Sequence, residues 1–270
     1  MASTSPSPKT SQSRKINVPI LGNKILEKVL EIINENQEIH TLWKVININA
    51  IDRLGMSDNG PVHFQIVANI AFRLGRILNK NDVEMSITKY FGLPSEYAEL
   101  VILLASLFHD LGMSINREGH EEFSLFLTNN ILHQILEFMP VEERTIVTSE
   151  VLHAIIAHRS DGKPYTIEAG IVRVADALDV SQGRSRIPYE AGYVDIYSVS
   201  AAAIDKVEIE EGEETPIQIN ILMNNSAGLF QVDELLKKKL LGSGIEKYIK
   251  IRAYIERRKE KKVIKEFEIS

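Results

Sequence analysis

Four residues of this chain have the types and spacing for metal chemistry. His109 and Asp110 stand side by side at the end of an apolar run, Leu100 to Phe108. His63 lies upstream and Asp176 downstream, each in its own apolar segment of helical period. Helices that each bring a ligand to a shared interior are the usual way a helical bundle builds a metal site. Asp176 sits within Val172-Arg173-Val174-Ala175-Asp176-Ala177-Leu178-Asp179. A carboxylate facing an apolar core there needs a cation or a metal, because burying a lone charge is costly. Carboxylate with neutral imidazole suits a divalent ion such as Mn, Fe, Ni, Zn or Mg. One aspartate can bridge two ions, and two such ions activate a shared water and clamp a phosphoryl oxygen. Phosphate-ester hydrolysis is therefore the chemistry this set supports. No phosphate-cradling Gly-rich loop, nucleotide fingerprint or Ser-His-Asp order competes with it.

The elements that must position these residues are helical up to about Asp179. Leu26, Val29, Leu30 and Ile33 recur at helical spacing. Ser57-Asp58-Asn59-Gly60-Pro61 is a helix-start signal, with Pro61 at the first position of a helix running Val62 to Leu78. Ser95-Glu96 opens the helix that ends near His109-Asp110-Leu111-Gly112. Helices over Glu121 to Phe138 and Glu142 to His158 follow, and Ser160-Asp161-Gly162-Lys163-Pro164 stops the second. Thr166-Ile167-Glu168 opens the segment that carries Asp176. The period changes after about Arg184. Val207 to Glu210 and Ile217 to Ile221 alternate as half-buried strands do, Val232 to Leu241 reads as a short amphipathic helix, and Ile249 to Ile255 and Val263 to Ile269 read as partner strands. Arg257 to Lys262 reads as a solvated turn between those two strands. The fold class is mainly α: a helical bundle over residues 21–190, then a small α+β unit over 200–270 serving interaction or dimerisation. A disordered Ser/Thr/Pro tail covers 1–20. The last two strands present an edge for self-pairing, which points to a homo-oligomer.

The bulk numbers fit this reading. The chain has 270 residues, 44% hydrophobic and 25% charged. With no cysteine, thiolate metal sites and disulfides are excluded, so a metal must rest on His, Asp or Glu. A net charge of −6 gives no strong signal for nucleic-acid binding, which needs clustered Lys and Arg. No apolar stretch reads as a membrane span and no signal peptide opens the chain, so no membrane partner and a cytoplasmic location are expected.

At Val62-His63, Leu107-Phe108-His109-Asp110-Leu111-Gly112 and Val174-Ala175-Asp176-Ala177-Leu178-Asp179 the chain resembles the HD-domain superfamily of metal-dependent phosphohydrolases, over roughly Leu42 to Arg186. The resemblance implies an all-helical core of HD type, with His63, His109, Asp110 and Asp176 as ligands of a first metal and Asp179 behind them. Some members bind a second metal through two further histidines, and this chain offers His120 and His158. The resemblance thus implies one or two divalent ions, with Asp110 bridging them and orienting the nucleophile and His109 anchoring the first. His153 is assigned to packing or to a place behind the ligands, and His133 and His40 to helix surface or core. Met113 replaces the Lys of the cyclic-dinucleotide branch, and no Gly-Tyr-Pro follows His158.

An anionic substrate needs donors. Arg184 and Arg186 are the first candidates and Arg159 and Lys163 the second, since these side chains bind phosphate. The expected partner is a small phosphorylated molecule of nucleotide type. The competing class is a regulatory module of HD fold that binds metal or nucleotide without turnover.

Overall fold

The computed structural model describes residues 15–159, 161–180, 196–255 and 266–269. Helix α1 (Lys24–Glu35) is capped by Asn23, whose side chain accepts from Ile25 N and Leu26 N, and α2 (Gln37–Asn47) by Asn36. Each cap satisfies backbone donors that the first turn leaves unpaired. A π-turn (Ile48–Arg53) leads to α3 (Pro61–Lys80), with proline at the helix start as the sequence predicts. Then come α4 (Ser86–Phe91), α5 (Ser95–Phe108), a 3-10 turn (Leu111–Ser114), α6 (His120–Ile135), α7 (Val141–Ala157) and α8 (Ile167–Ala177).

Helix α5 is the axis of the bundle. From Leu100 to Phe108 every residue is buried, because a helix that is apolar all round has no face to offer water. It packs against α3, α7 and α8. Its composition also explains a correction. Ser95–Ser114 is long and apolar enough to cross a membrane, contrary to the sequence reading, yet 83% of its most apolar 18-residue window is buried inside the protein. A second correction concerns the first 20 residues. Residues 15–20 do not form the expected tail: Ile16 and Val18 are buried in the core, and Asn34 bonds both the N–H and the C=O of Ile16 (2.7 and 3.0 Å).

The C-terminal part comprises α9 (Ile196–Ala202), β1 (Ile204–Glu211), β2 (Ile217–Met223), a helical segment over 228–240, a 3-10 turn (Glu246–Tyr248), β3 (Ile249–Ile255) and β4 (Glu266–Ile269). The sheet order is β1-β2-β3-β4. β1 and β2 are antiparallel, and so are β3 and β4, but β2 and β3 run parallel with Ile217 opposite Ile249. Parallel neighbours need a crossover, and the 228–240 helix is in that connection. β3 is thus an interior strand, so the edge expected at Ile249–Ile255 is covered on both sides. Ile217, Ile219, Ile221 and Met223 form the buried face of β2 and join one continuous apolar cluster with the helical bundle. The turn read at Arg257 to Lys262 lies outside the described residues.

Candidate metal centre

Four histidines and two aspartates converge where the ends of α3, α5, α6, α7 and α8 meet. His63 is in the first turn of α3, His109 caps α5 with Asp110 next, His120 opens α6, His158 caps α7, and Asp176 is in the last turn of α8. Helix ends suit histidines because carbonyls there have no intrahelical partner. His109 Nδ1 lies 3.0 Å from Ser106 O and His158 Nδ1 2.5 Å from Ile155 O, each three residues back. His120 Nδ1 lies 2.9 Å from Arg117 O, and His63 Nδ1 2.6 Å from Asp179 Oδ2.

These contacts fix three tautomers. A carbonyl or an ionised carboxylate can only accept, so Nδ1 of His63, His109 and His158 carries the proton and donates, whereas His120 Nδ1 faces both Arg117 O and, at 3.3 Å, the donor-only Arg117 guanidinium. In a neutral ring the Nε2 then presents a lone pair. All four Nε2 atoms point inward. His63 Nε2 and His109 Nε2 are 3.1 Å apart, with Asp176 Oδ1 at 3.4 and 3.7 Å from them. Three lone-pair donors facing one another at this range repel unless a ring is protonated or a cation lies among them. For metal bonds of about 2.1 Å, neighbouring ligands sit roughly 3.0–3.4 Å apart, close to the spacing here. The donor set therefore fits a divalent ion.

Asp110 lies between two halves of the cluster. Its Oδ2 is 4.0 Å from His63 Nε2 and accepts from Asn59 Nδ2 at 3.0 Å. Its Oδ1 is 3.1 Å from His120 Nε2, 3.7 Å from His158 Nε2 and 3.8 Å from His109 Nε2. Among the described residues, three overlapping groups could each hold an ion: His63-His109-Asp176, His109-Asp110-His158 and His120-Glu121-His158. Glu121 is the member that sequence reasoning missed, although it directly follows His120. A close approach brings the second group in. A Cβ on Gly112 would come within 1.9 Å of His120 O. Ser124 Oγ secures the turn by accepting Gly112 N–H at 2.8 Å, and it sits 2.7 Å from the carbonyls of His109 and His120.

The electrostatics favour ligand-ready states at most positions. Burial alone would push Asp110 up, but the surrounding imidazoles of His109, His120 and His158 hold it well below the usual carboxylate range. Burial opposes ionisation of Asp176 too, and Lys239, His63 and His109 outweigh it. Burial pushes His109 down despite both aspartates, and drives His158 down to about 3, helped by His109 and Lys239. Neutral imidazoles and ionised carboxylates are what a metal requires. His120 goes the other way: burial lowers it, but its bond to Asp110 prevails and raises it.

The substrate candidates are placed less closely. Arg159 pairs with Glu122 and, at 3.2 Å, with Asp161, and Lys163 is exposed. Arg184 and Arg186 lie outside the described residues. Two other cations reach the cluster among the described residues: Lys239, from the 228–240 helix, whose Nζ is 2.5 Å from Asp176 Oδ2, and Arg117, whose Nη1 is 3.3 Å from His120 Nδ1 on the outer edge of that ring. Among the other histidines, His153 accepts Tyr165 N–H at 2.9 Å and stacks on its ring, and His40 Nε2 is 3.1 Å from Asn34 O.

The HD domain family matches residues 62–181, a span that contains every residue of the cluster. The uncharacterized protein MJ1020 of Methanocaldococcus jannaschii is 41% identical over 246 residues, covering 91% of this chain and 94% of its own length. Ribonuclease Y of Protochlamydia amoebophila is 24% identical over 225 residues, 80% of this chain and 41% of its own. Ribonuclease Y of Acholeplasma laidlawii is 24% identical over 229 residues, 80% of this chain and 40% of its own. No solved structure matches the chain. With this match falling on the helices whose ends build the cluster, the chain belongs to the HD-domain superfamily of metal-dependent phosphohydrolases.

Proposed function

We propose that this protein hydrolyses a phosphate ester of a nucleotide, with one or two divalent ions held by His63, His109, Asp110, His120, His158 and Asp176. The observation that carries the reading is the inward convergence of four imidazole Nε2 atoms on two ionised aspartates, each Nδ1 tied down from behind. A divalent ion bound there would supply Lewis acidity to a water and to phosphoryl oxygens. The chain's own part is positional. Asp179 and the carbonyls of Ser106 and Ile155 hold His63, His109 and His158 in the ligating tautomer and orientation, and Arg117 holds the ring of His120 in place. Asn59 holds one oxygen of Asp110, which leaves the other for the His120 and His158 side. Burial keeps bulk water away from these groups.

The relatives named ribonuclease Y support a second substrate class, a phosphodiester in RNA, because the similarity covers 80% of this chain. They leave the nucleotide reading intact, since both substrates present the same phosphoryl group. The test is metal analysis of the purified full-length chain, then a panel of nucleoside mono- and triphosphates, cyclic nucleotides and short RNA with added Mn²⁺ or Mg²⁺. We expect stoichiometric metal and turnover of one class. The double variant His109→Ala, Asp110→Ala should lose both the metal and at least about 10³-fold in turnover, roughly 4 kcal/mol. Metal binding without turnover of any member would favour a regulatory module, and full activity of the double variant would refute the proposal.

A further inference from the structure

The C-terminal unit does more than pack on the bundle. Helix α8 presents three successive positions, each three residues apart, to that unit. A Cβ on Gly170 would meet Ser243 O at 2.2 Å, so only glycine permits the approach. Arg173 donates through Nε to Lys239 O at 2.8 Å and through Nη2 to Lys238 O at 3.3 Å. Asp176 receives Lys239 Nζ. Arg173 Nη1 also reaches the carbonyls of Ala157 (3.2 Å), Gly162 (2.9 Å) and Arg159, on either side of His158. One buried guanidinium thus ties together the helix of Asp176, the turn of His158 and the helix of Lys239. Its charge rests against the C-terminal ends of two helices, where carbonyl dipoles favour a cation.

From this arrangement we propose that Lys239, delivered by the C-terminal unit, is the group that receives the phosphate of the substrate. The proposal rests on the phosphohydrolase reading above. Lys239 and Asp176 form the open side of the cluster: their side chains are 19% and 14% exposed, against 8% or less for the four histidines and Asp110. An ammonium has three N–H donors and Asp176 engages one of them. A strongly hydrated point charge on a flexible stem suits phosphate, and its backbone here is fixed by Arg173. Of the neighbouring arginines, Arg159 is held by two carboxylates and Arg173 by carbonyls, and Arg117 lies against the outer Nδ1 edge of His120, away from the inward Nε2. Placed purely as a structural counter-ion, a cation beside a dication site would oppose metal binding. An incoming dianion resolves that conflict.

The experiment titrates inorganic phosphate into the full-length protein, metal-free and Mn²⁺-loaded, for wild type, Lys239→Ala, Lys239→Arg and Lys238→Ala. Metal content and thermal unfolding are measured in parallel. Lys239→Ala should keep its metal and lose about tenfold in phosphate affinity, about 1.4 kcal/mol. Lys239→Arg should recover most of the loss, and it keeps the test decisive if the alanine variant folds poorly. Lys238→Ala, whose side chain pairs with Glu234, should match wild type. Unchanged phosphate affinity in Lys239→Ala overturns the proposal. So does loss of metal in that variant, which would make Lys239 a positioning partner of Asp176. A wild-type protein that takes up no metal would defeat the phosphohydrolase reading instead, and the metal-free titration would still decide the role of Lys239.

Discussion

The two sides of the cluster are built from opposite chemistry. The bundle side, from α3, α5, α6 and α7, offers imidazole and carboxylate and is almost wholly buried. The C-terminal side offers Lys239, whose backbone carbonyl is held by Arg173 of the bundle's α8. On the bundle side, protein acceptors hold protons on Nδ1 so that lone pairs face inward. On the other side, carbonyls hold a guanidinium so that an ammonium faces inward. The first arrangement attracts a cation and the second an anion. The difference teaches that the full charge pattern of the cluster exists only where two parts of the chain dock, because the imidazoles and carboxylates come from the bundle and the lysine from the C-terminal unit.

The largest effect should come from breaking the clamp between the two sides. Arg173 is buried and serves five carbonyls. Arg173→Met keeps much of the volume but removes every donor. Unpaired buried acceptors each carry a desolvation penalty of about 1–3 kcal/mol, and relaxation recovers part of the sum. We expect a loss of about 2–4 kcal/mol in denaturant unfolding, with phosphate affinity falling further than metal affinity. A variant as stable as wild type would mean that the two sides dock without this residue.

A smaller effect should isolate the bundle side. Asp179 bonds His63 Nδ1 and lies behind the ring. Asp179→Ala removes the acceptor that selects the tautomer, and such outer partners are typically worth 10- to 100-fold in metal affinity, roughly 1.4–2.8 kcal/mol. A Mn²⁺ titration should show that loss with phosphate binding to the metal-free protein unchanged. Loss of phosphate binding in the metal-free variant would argue against separable sides.

The same division marks what the sequence made legible. His63, His109, Asp110 and Asp176 announced themselves because polar residues interrupt strongly apolar helices, whereas His120 and His158 came only from the resemblance to a family in which some members bind a second metal through two further histidines. The placement of Asp179 behind His63 agrees with the expectation for it. Lys239 was hidden for a physical reason. Within Lys237-Lys238-Lys239 it reads as one of three solvated charges, and only docking over a separation of 63 residues brings it to Asp176. Arg173 did give a signal: one cation inside Ile171-Val172-Arg173-Val174-Ala175, all buried, had to find acceptors. Asn59 was read as part of a helix start, yet its side chain holds Asp110. The parallel pairing of β2 with β3 was not legible, because alternation specifies faces and leaves strand direction to the crossover.

Glu150 offers the smallest effect and the sharpest contrast. Like Asp110 and Asp176 it is a carboxylate drawn out of water, but no imidazole or lysine among the described residues compensates it. Burial, reinforced by the charge of Glu168, pushes it up to about 7, and its Oε2 has no hydrogen-bond partner among the described residues. The folded state therefore binds a proton that the unfolded chain releases between the ordinary value of 4.5 and about 7. The stability associated with that proton is present below pH 4.5 and is lost as pH rises through about 7. Because the side chain is only about half buried, solvent screening reduces the effect to about 1 kcal/mol. Glu150→Gln, neutral at every pH, should match wild type near pH 4.5 and exceed it by that amount at pH 8 in urea unfolding. The cluster carboxylates are compensated and shift down while Glu150 is not and shifts up, so equal stabilities at pH 8 would show that Glu150 has a cationic partner after all.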